Sequence, residues 1–192
     1  MRRSAILLLS ALASPLFAAA VPAMDAMAAQ VNDELSLSGT WGFTWGSWIP
    51  LDTIQSSELS VEHVDLPNFL LNLGSSQTRK TDNIVQGYGT YVLQIDNLRE
   101  AFVHPTLFVR YVQDAWQAWW VDGSGEISLL GHSGQIAKRA EEQEFRNNTA
   151  IISLPRKSQS GTLVIYLSAY HTSYAGLYGE LTIREQEATL RK

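Results

Sequence analysis

The four histidines are the side chains of this sequence that most often carry metal or proton-transfer chemistry. His63, His104, His132 and His171 lie far apart, and none has a second ligand three or four residues away. Ligand pairs at short spacing are typical of protein metal sites, so this pattern supports no metal. The chain also has no cysteine, which excludes disulfides, thiolate nucleophiles and cysteine-based clusters. We therefore expect no metal site and no cofactor.

Two short motifs come close to known functional loops. Residues 131–134, Gly-His-Ser-Gly, are one residue short of the G-x-S-x-G nucleophile elbow and indicate a turn. Asp122, Ser124 and Glu126 have the alternate spacing of a calcium loop, but the Asp122-Gly123 dipeptide is also a hairpin signal. No motif marks a pair of carboxylates for glycoside hydrolysis. We predict that the chain is not an enzyme and has no catalytic residue.

Tryptophan is concentrated in two groups of three. In the second group, strand alternation puts Trp116 and Trp120 on one face and Trp119 on the other. One of these faces must enter a core, and the other is either covered or free to bind a sugar or a protein partner. Trp116 and Trp120 are therefore candidate ligand-binding residues. The alternative is that a loop such as residues 136–146 covers the second face.

A second candidate site follows the apolar segment Gly161–Ser168. Tyr170, His171 and Tyr174 have rings with polar tips, which suit recognition of a polar small molecule. Loops at the ends of strands often carry binding groups, because the sheet holds them in place. We name these three residues as candidate ligand-binding residues. The alternative is a connection whose tyrosines pack on the edge of the sheet.

Charge and composition restrict the class of partner. The 192 residues include 14 Lys and Arg and 19 Asp and Glu, so the formal charge is −5, and no basic cluster is present. Nucleic-acid binders usually need such a cluster to contact phosphates, and we therefore expect no nucleic-acid partner. With 17% charged and 45% hydrophobic residues, the composition is typical of a globular domain.

The first residues have the layout of a secretory leader. Arg2-Arg3 is followed by the apolar run Ala5–Ala13 and then by small residues. Cleavage after Ala20 or after Ala28 would fit, and the alternative is an uncleaved anchor. We expect a signal peptide within residues 1–28, one domain over residues 29–192, and a periplasmic or other extracytoplasmic location.

The remaining sequence alternates apolar and polar residues with a period of two. This pattern predicts strands in Thr90–Asp96, Thr106–Val112, Ala150–Leu154 and Gly161–Ser168, and a hairpin around Asp122-Gly123. Short strands at about ten-residue spacing are typical of sandwiches. We therefore predict an all-β fold, an antiparallel β-sandwich with jelly-roll topology.

Several short motifs follow one another along the chain. They are Gly39-Thr40-Trp41-Gly42-Phe43-Thr44-Trp45, Val64-Asp65-Leu66-Pro67-Asn68-Phe69, Gly87-Tyr88-Gly89-Thr90-Tyr91, Trp119-Trp120-Val121-Asp122-Gly123, Gly131-His132-Ser133-Gly134, Ser168-Ala169-Tyr170-His171 and Gly176-Leu177. In this order they resemble the type 2 extracellular sensor domain of bacterial seven-transmembrane receptors with diverse intracellular signalling modules. The resemblance implies a galactose-binding-like jelly roll that senses carbohydrates or related ligands and signals to a membrane-embedded partner. The same motifs resemble the non-catalytic sugar-binding sandwich domain of beta-galactosidase-like glycoside hydrolases.

The chain departs from the receptor pattern at two places near the candidate sites. Asp122-Gly123 replaces the usual Asn-Gly, which keeps the turn, and Ser168-Ala169 replaces the usual Ser-Asn, which removes a polar side chain. The sequence thus predicts a ligand-binding sensor domain. The alternatives are a carbohydrate-binding module, or a periplasmic interaction protein without a signalling role.

Overall fold

The computed structural model describes residues 19–68, 80–81, 84–146, 149–155, 158–172 and 176–186. Two short helices, α1 (Ala26–Ala29) and α2 (Leu98–Ala101), and 3₁₀ turns at Leu51–Thr53 and Ala140–Glu142 accompany the strands. The strands are β1 (Ala23–Asp25), β2 (Glu34–Ser36), β3 (Gly39–Trp45), β4 (Glu62–Leu66), β5 (Lys80–Thr81), β6 (Ile84–Val85), β7 (Gly87–Asp96), β8 (Pro105–Val109), β9 (Val112–Gln113), β10 (Ala115–Asp122), β11 (Ile127–Ser133), β12 (Ala150–Ser153), β13 (Gly161–Ala169), β14 (Gly176–Leu177) and β15 (Leu181–Glu185).

The strands build two facing sheets. The large sheet has the order β11-β10-β13-β7-β3-β4, and the small sheet has the order β12-β8-β15-β2. All neighbours in these two orders are antiparallel, whereas β1 adds to the end of β7 in parallel. The pairs β9–β14 and β5–β6 form separate ribbons. This arrangement confirms the predicted all-β antiparallel sandwich.

The main core lies between the two sheets and is built from the apolar alternation seen in the sequence. Burial of these side chains removes apolar surface from water, which is the dominant favourable contribution to folding. Members of this core from the predicted strands are Tyr91, Leu93, Ile95, Leu107, Val109, Ile152, Leu163, Ile165 and Leu167.

The opposite, outer face of the large sheet is covered as well. Val92, Val164 and Tyr166 on this face pack with Ile49 and Ile54 in a second apolar cluster. Residues 46–61, which we call the cover segment, supply the last two. Two hydrogen bonds fix the cover segment to the sheet at Ile49. The Tyr166 hydroxyl donates to the Ile49 carbonyl, and the Ile49 N–H donates to Thr90 Oγ1 at 3.1 Å. Both faces of β13 are therefore buried.

The predicted strand Thr106–Val112 is interrupted at its end. An uninterrupted strand would place Tyr111 on the same inward face as Leu107 and Val109, but Tyr111 is 45% exposed and has a φ of +57°. The reason is that β8 ends at Val109, where the Arg110 N–H donates to the Glu180 carbonyl at 3.0 Å and the chain leaves the sheet. Tyr111 is thus presented at the surface.

The first described residues belong to the sandwich. Strand β1 and helix α1 occupy residues 23–29, a segment that a cleavage after Ala28 would largely remove. Among the described residues, no helix is both long and apolar enough to cross a bilayer.

Candidate functional site

Trp116 and Trp120, two of the predicted ligand-binding residues, lie in the main core. They are 0% and 1% exposed, because the face of β10 that carries them with Ala118 turns toward the small sheet. The Trp120 Nε1–H donates to Ser158 Oγ at 3.0 Å, and a Cβ on Gly161 would overlap the Trp120 ring. The expectation that these two rings form an exposed platform is therefore wrong.

Trp119 is the ring of this group that faces outward. It is half-buried against the second apolar cluster, and it pairs across the strands with Leu129 of β11. Its Nε1–H is buried and has no hydrogen-bond acceptor within the described part of the chain. An unpaired buried donor is costly, so this indole N–H is available to an acceptor that enters from the outer face.

The predicted loop after β13 is held by a buried carboxylate. Asp114 Oδ2 accepts hydrogen bonds from the N–H groups of Tyr170, His171 and Thr172 at 2.8, 2.7 and 3.3 Å. Its other oxygen, Oδ1, accepts from the Thr172 hydroxyl. We call residues 170–172 the end loop. Asp114 is fully buried, and these four bonds compensate the loss of its hydration.

The backbone N–H groups of the end loop converge on Asp114, but the side chains of Tyr170 and His171 have different surroundings. The Tyr170 hydroxyl donates to the Lys138 carbonyl at 2.5 Å, and burial is the main cause that raises the pKa of Tyr170. The His171 imidazole is exposed and has no hydrogen-bond partner among the described residues. Tyr174, the third candidate in this loop, lies outside the described residues.

Two exposed tyrosines lie near the same end of the sandwich. Tyr111 and Tyr178 stack with ring centroids 6.4 Å apart, and the Arg110 guanidinium lies 4.7 Å from the Tyr111 ring centroid. Burial, followed by the negative charge of Asp114, raises the pKa of Tyr178. The ring faces of Tyr111 are thus already engaged by protein groups.

A cleft on the outer face has a different character. Its volume is about 440 Å³, and we call it the outer cleft. It lies where Gln117 of β10 pairs with His132 of β11, on the same outward face as Trp119. The residues that line it include Gln117, Leu129, His132, Gln135, Glu144 and Arg146.

Most polar side chains of the outer cleft are not engaged by the protein. Within the described residues, the side chains of Gln117, His132, Glu144 and Arg146 form neither a hydrogen bond nor an ion pair, whereas the Gln135 amide donates to the Glu142 carbonyl at 3.2 Å. The free groups include donors, an acceptor, and one amide that does both. Such a set can bind a ligand that presents several hydroxyl groups, with Leu129 beside them for an apolar face.

The wall of the outer cleft is a closed loop of residues 134–146, which we call the cover loop. Two hydrogen bonds between the backbones of Gln135 and Glu144, at 3.0 and 3.1 Å, join its ends. Next to them, the Ser133 hydroxyl donates to the Arg146 carbonyl at 3.2 Å. Gly134 has a φ of +68°, and a Cβ there would overlap the Glu144 carbonyl oxygen. Only glycine therefore fits this corner.

The cover loop is also attached to the sheet. The Ala137 N–H donates to Ser168 Oγ at 3.2 Å, and the Lys138 ammonium lies 5.6 Å and 5.8 Å from the ring centroids of Trp48 and Tyr88. Cation–π contacts at this range hold a loop whose other charges are solvated. Ile136 of this loop packs against the second cluster, as Trp119 does, which agrees with the alternative that a loop such as residues 136–146 covers the second tryptophan face.

The outer cleft and Asp114 were not found by sequence reasoning. The signal for Asp114 was an acidic residue directly before the uncharged, aromatic strand Ala115–Val121. The signal for the cleft was weaker, because Gln117 and His132 become neighbours only when the hairpin register is known. Among the described residues, no group of three or more His, Asp or Glu is arranged to hold a metal ion.

The two sheets form a jelly-roll β-sandwich that resembles a β-sandwich domain of a family 2 glycosyl hydrolase. No protein-family model and no curated protein matches this chain. Among solved structures, a glycosyl hydrolase family 2 member from Bacteroides cellulosilyticus is similar over 79% of this chain, with a TM-score of 0.56 and 11% identity. Beta-glucuronidases from Faecalibacterium prausnitzii and Bacteroides uniformis are similar over 80% and 78%, with TM-scores of 0.55 and 0.53 and identities of 12% and 11%.

The similarity covers only part of those enzymes. This chain corresponds to 20%, 32% and 17% of the three solved chains, in the order given. At such identities the likeness shows the jelly-roll sandwich fold and no activity.

Proposed function

We propose that this chain is an exported, non-catalytic domain that binds a carbohydrate in the outer cleft. The single observation that carries the proposal is a set of polar side chains around one cleft that have no partner among the described residues: Gln117, His132, Glu144 and Arg146. Sugars present hydroxyl groups that both donate and accept, and planar amide, carboxylate and guanidinium groups bind such pairs well. The secretory leader supports a periplasmic or other extracytoplasmic location.

The solved neighbours support the same class of ligand. Their names describe them as glycosyl hydrolase and beta-glucuronidase, and their similarity to this chain covers a minor part of their length. A sandwich of this fold therefore accompanies carbohydrate chemistry in those proteins. By itself, the domain described here would hold a sugar and leave it unchanged.

The test is a ligand screen followed by matched substitutions. The purified chain is screened by thermal shift against neutral sugars, uronic acids and their short oligomers, and any sugar that raises the melting temperature is titrated by calorimetry. Saturation at one hundred times Kd would stabilise the fold by about 2.7 kcal/mol. Gln117→Ala and Arg146→Ala should each weaken binding at least about tenfold, or about 1.4 kcal/mol.

Arg139→Ala is the matched control for Arg146→Ala. Arg139 lies on the same cover loop, is well exposed, and forms surface ion pairs with Glu141 and Glu142 at 4.0 and 3.3 Å. Its removal should leave Kd unchanged. Equal weakening by both arginine variants, or no response to any sugar, would contradict the proposal. Glycoside hydrolysis that disappears on replacement of one carboxylate would contradict its non-catalytic part.

A second candidate is a sensor domain, in which sugar binding shifts the population of a state recognised by a membrane-embedded partner. The ordered motifs that resemble the receptor sensor family favour it. Reading the coding sequence past Lys192, and purifying the full gene product from membranes with and without the sugar, tests this role. Membrane helices encoded in the same gene, or sugar-dependent copurification of a membrane protein, would support it. Their joint absence would leave the binding module.

A further inference from the structure

We propose that the secretory leader is cleaved after Ala20, and that residues 21–29 are a structural part of the mature domain. The sequence alone fits two positions equally, because Ala18-Ala19-Ala20 and Ala26-Met27-Ala28 both have small residues at the first and third places. The structure distinguishes them by what each cleavage would remove from the sandwich.

Strand β1 completes an edge of the large sheet. Ala23, Met24 and Asp25 pair in parallel with Gln94, Ile95 and Asp96, which are the last residues of β7. Just before this pairing, the Gln94 N–H donates to the Pro22 carbonyl at 2.9 Å. Without β1, the backbone groups at this end of β7, residues 94–96, would lose their partners and form an exposed sheet edge, and exposed edges favour aggregation.

Helix α1 is held in place by the hydrogen bonds of Asp25, which precedes it, and by the burial of its first residue, Ala26. Asp25 Oδ1 accepts from the N–H groups of Met27 and Ala28 at 3.0 and 3.2 Å, and Oδ2 accepts from Asn97 Nδ2 at 3.1 Å. Ala26, inside the second cleavage triplet, is 0% exposed and belongs to the main core. The contact with Asn97 and the cap bonds lower the pKa of Asp25, so the carboxylate is favoured in its charged, capping form.

The two cleavages have unequal structural consequences. Cleavage after Ala28 removes β1, the Asp25 cap and the buried Ala26. Among the described residues, cleavage after Ala20 removes an isolated bridge between Ala19 and Val61 and the contact of His63 Nε2 with the Ala20 carbonyl at 3.0 Å. Ala20 is also exposed. Of the two cleavages, only the one after Ala20 leaves all the described strands and helices in the mature sandwich, because β1 begins at Ala23.

The direct test determines the N-terminus of the exported protein. The full coding sequence is expressed in a host with a general secretory pathway, and the secreted product is analysed by intact mass and N-terminal sequencing. A first residue of Val21 is expected. A first residue of Ala29, or an uncleaved leader, would overturn the proposal.

Two matched substitutions show whether the cleavage uses the first triplet. Ala20→Lys places a long charged side chain at the residue before the proposed cleavage and should block processing. Ala28→Lys makes the same change at the other triplet, at an exposed position, and should leave the product unchanged. The reverse pattern would show cleavage after Ala28.

An independent measurement tests the structural role. Chains that begin at Val21 and at Ala29 are compared by thermal unfolding, and the shorter chain should melt at least about 5 °C lower, because it lacks an edge strand and a capped helix. Asp25→Ala in the longer chain should give part of this decrease. Equal melting temperatures for the two chains would overturn the structural part of the proposal.

Discussion

The end loop and the outer cleft both carry polar side chains near aromatic rings, but their hydrogen bonding is opposite. In the end loop, the fully buried carboxylate of Asp114 accepts four hydrogen bonds from three residues. In the outer cleft, Gln117, His132, Glu144 and Arg146 have no such partner within the described residues.

This difference separates a structural polar group from an available one. A buried polar group that is fully paired stabilises the conformation that pairs it, and its loss is felt in the free energy of unfolding. A polar side chain without a partner at a cleft costs little to remove and can bind a ligand. Substitutions in the end loop should therefore change stability, and those in the outer cleft should change binding.

The largest effect is expected for Asp114→Ala. The substitution leaves three N–H groups and one hydroxyl without their acceptor, and should lower the free energy of unfolding by about 3–5 kcal/mol. Chemical denaturation measures the change. Asp114→Asn keeps one side-chain oxygen as an acceptor and should lose less.

Two other results for Asp114 would contradict the proposed contrast, in which the end loop determines stability and the outer cleft determines binding. If Asp114→Ala unfolds at the same denaturant concentration as the parent, the end loop is not fixed by this carboxylate. If the folded variant loses sugar binding while Asp114→Asn retains it, the end loop and the cleft are coupled.

Gly134→Ala should affect both properties. The new methyl group would overlap the Glu144 carbonyl oxygen in a conformation with positive φ, so the cover loop must move. We expect a loss of about 2–4 kcal/mol of stability, together with loss of sugar affinity. Gly123→Ala is the control, because a Cβ there would meet only the Ser160 carbonyl oxygen at 3.8 Å. Unchanged affinity in a folded Gly134→Ala protein would show that the cover loop does not shape the site.

The fold was predictable from the sequence because period-two alternation directly reports which side chains face a core. Tyr91, Leu93 and Ile95 alternate on β7, and all three lie between the sheets as expected. The short helix α1 and strand β1 were not predicted, because residues 23–28 were treated as part of a leader. Their pairing with β7 depends on contacts about seventy residues away in sequence, which local pattern does not contain.

The site was less predictable for the same reason. Alternation correctly put Trp116 and Trp120 on one face, but it gave no sign of which face meets the small sheet, and the opposite choice was made. The cleft depends on the pairing of Gln117 with His132 and on the cover loop, whose two ends meet next to Gly134. These are long-range features, and only Gly134 itself marked a turn.

Tyr166 offers a pH-dependent measure of the outer face. Burial, followed by the charge of Asp52, raises the pKa of Tyr166 to about 12. A raised folded pKa means that the stabilisation is fully present below the unfolded value of 10.0 and is lost as the pH rises toward the folded one. Stability should therefore fall from about pH 10 to about pH 12, and less steeply in Tyr166→Phe.

Hydrogen exchange shows where this alkaline loosening occurs. The hydroxyl of Tyr166 donates to the Ile49 carbonyl, so the amides of the cover segment should lose protection first. The amides of residues 170–172, held by Asp114, should keep their protection longer. Simultaneous loss in both regions would show that the two regions open as one unit.

The smallest effect is expected for a matched pair of histidines. His171 is exposed and contributes only its backbone N–H to Asp114, so His171→Ala should change stability by less than about 0.5 kcal/mol and leave the sugar Kd unchanged. His132 lines the outer cleft and has no partner in the described part of the chain, so His132→Ala should leave stability unchanged and weaken binding by about threefold to tenfold. Denaturation and calorimetry on both variants measure the contrast. If His171→Ala weakened binding and His132→Ala did not, the ligand site would lie at the end loop, as the sequence first indicated, because the exposed imidazole would then be the group that the sugar contacts.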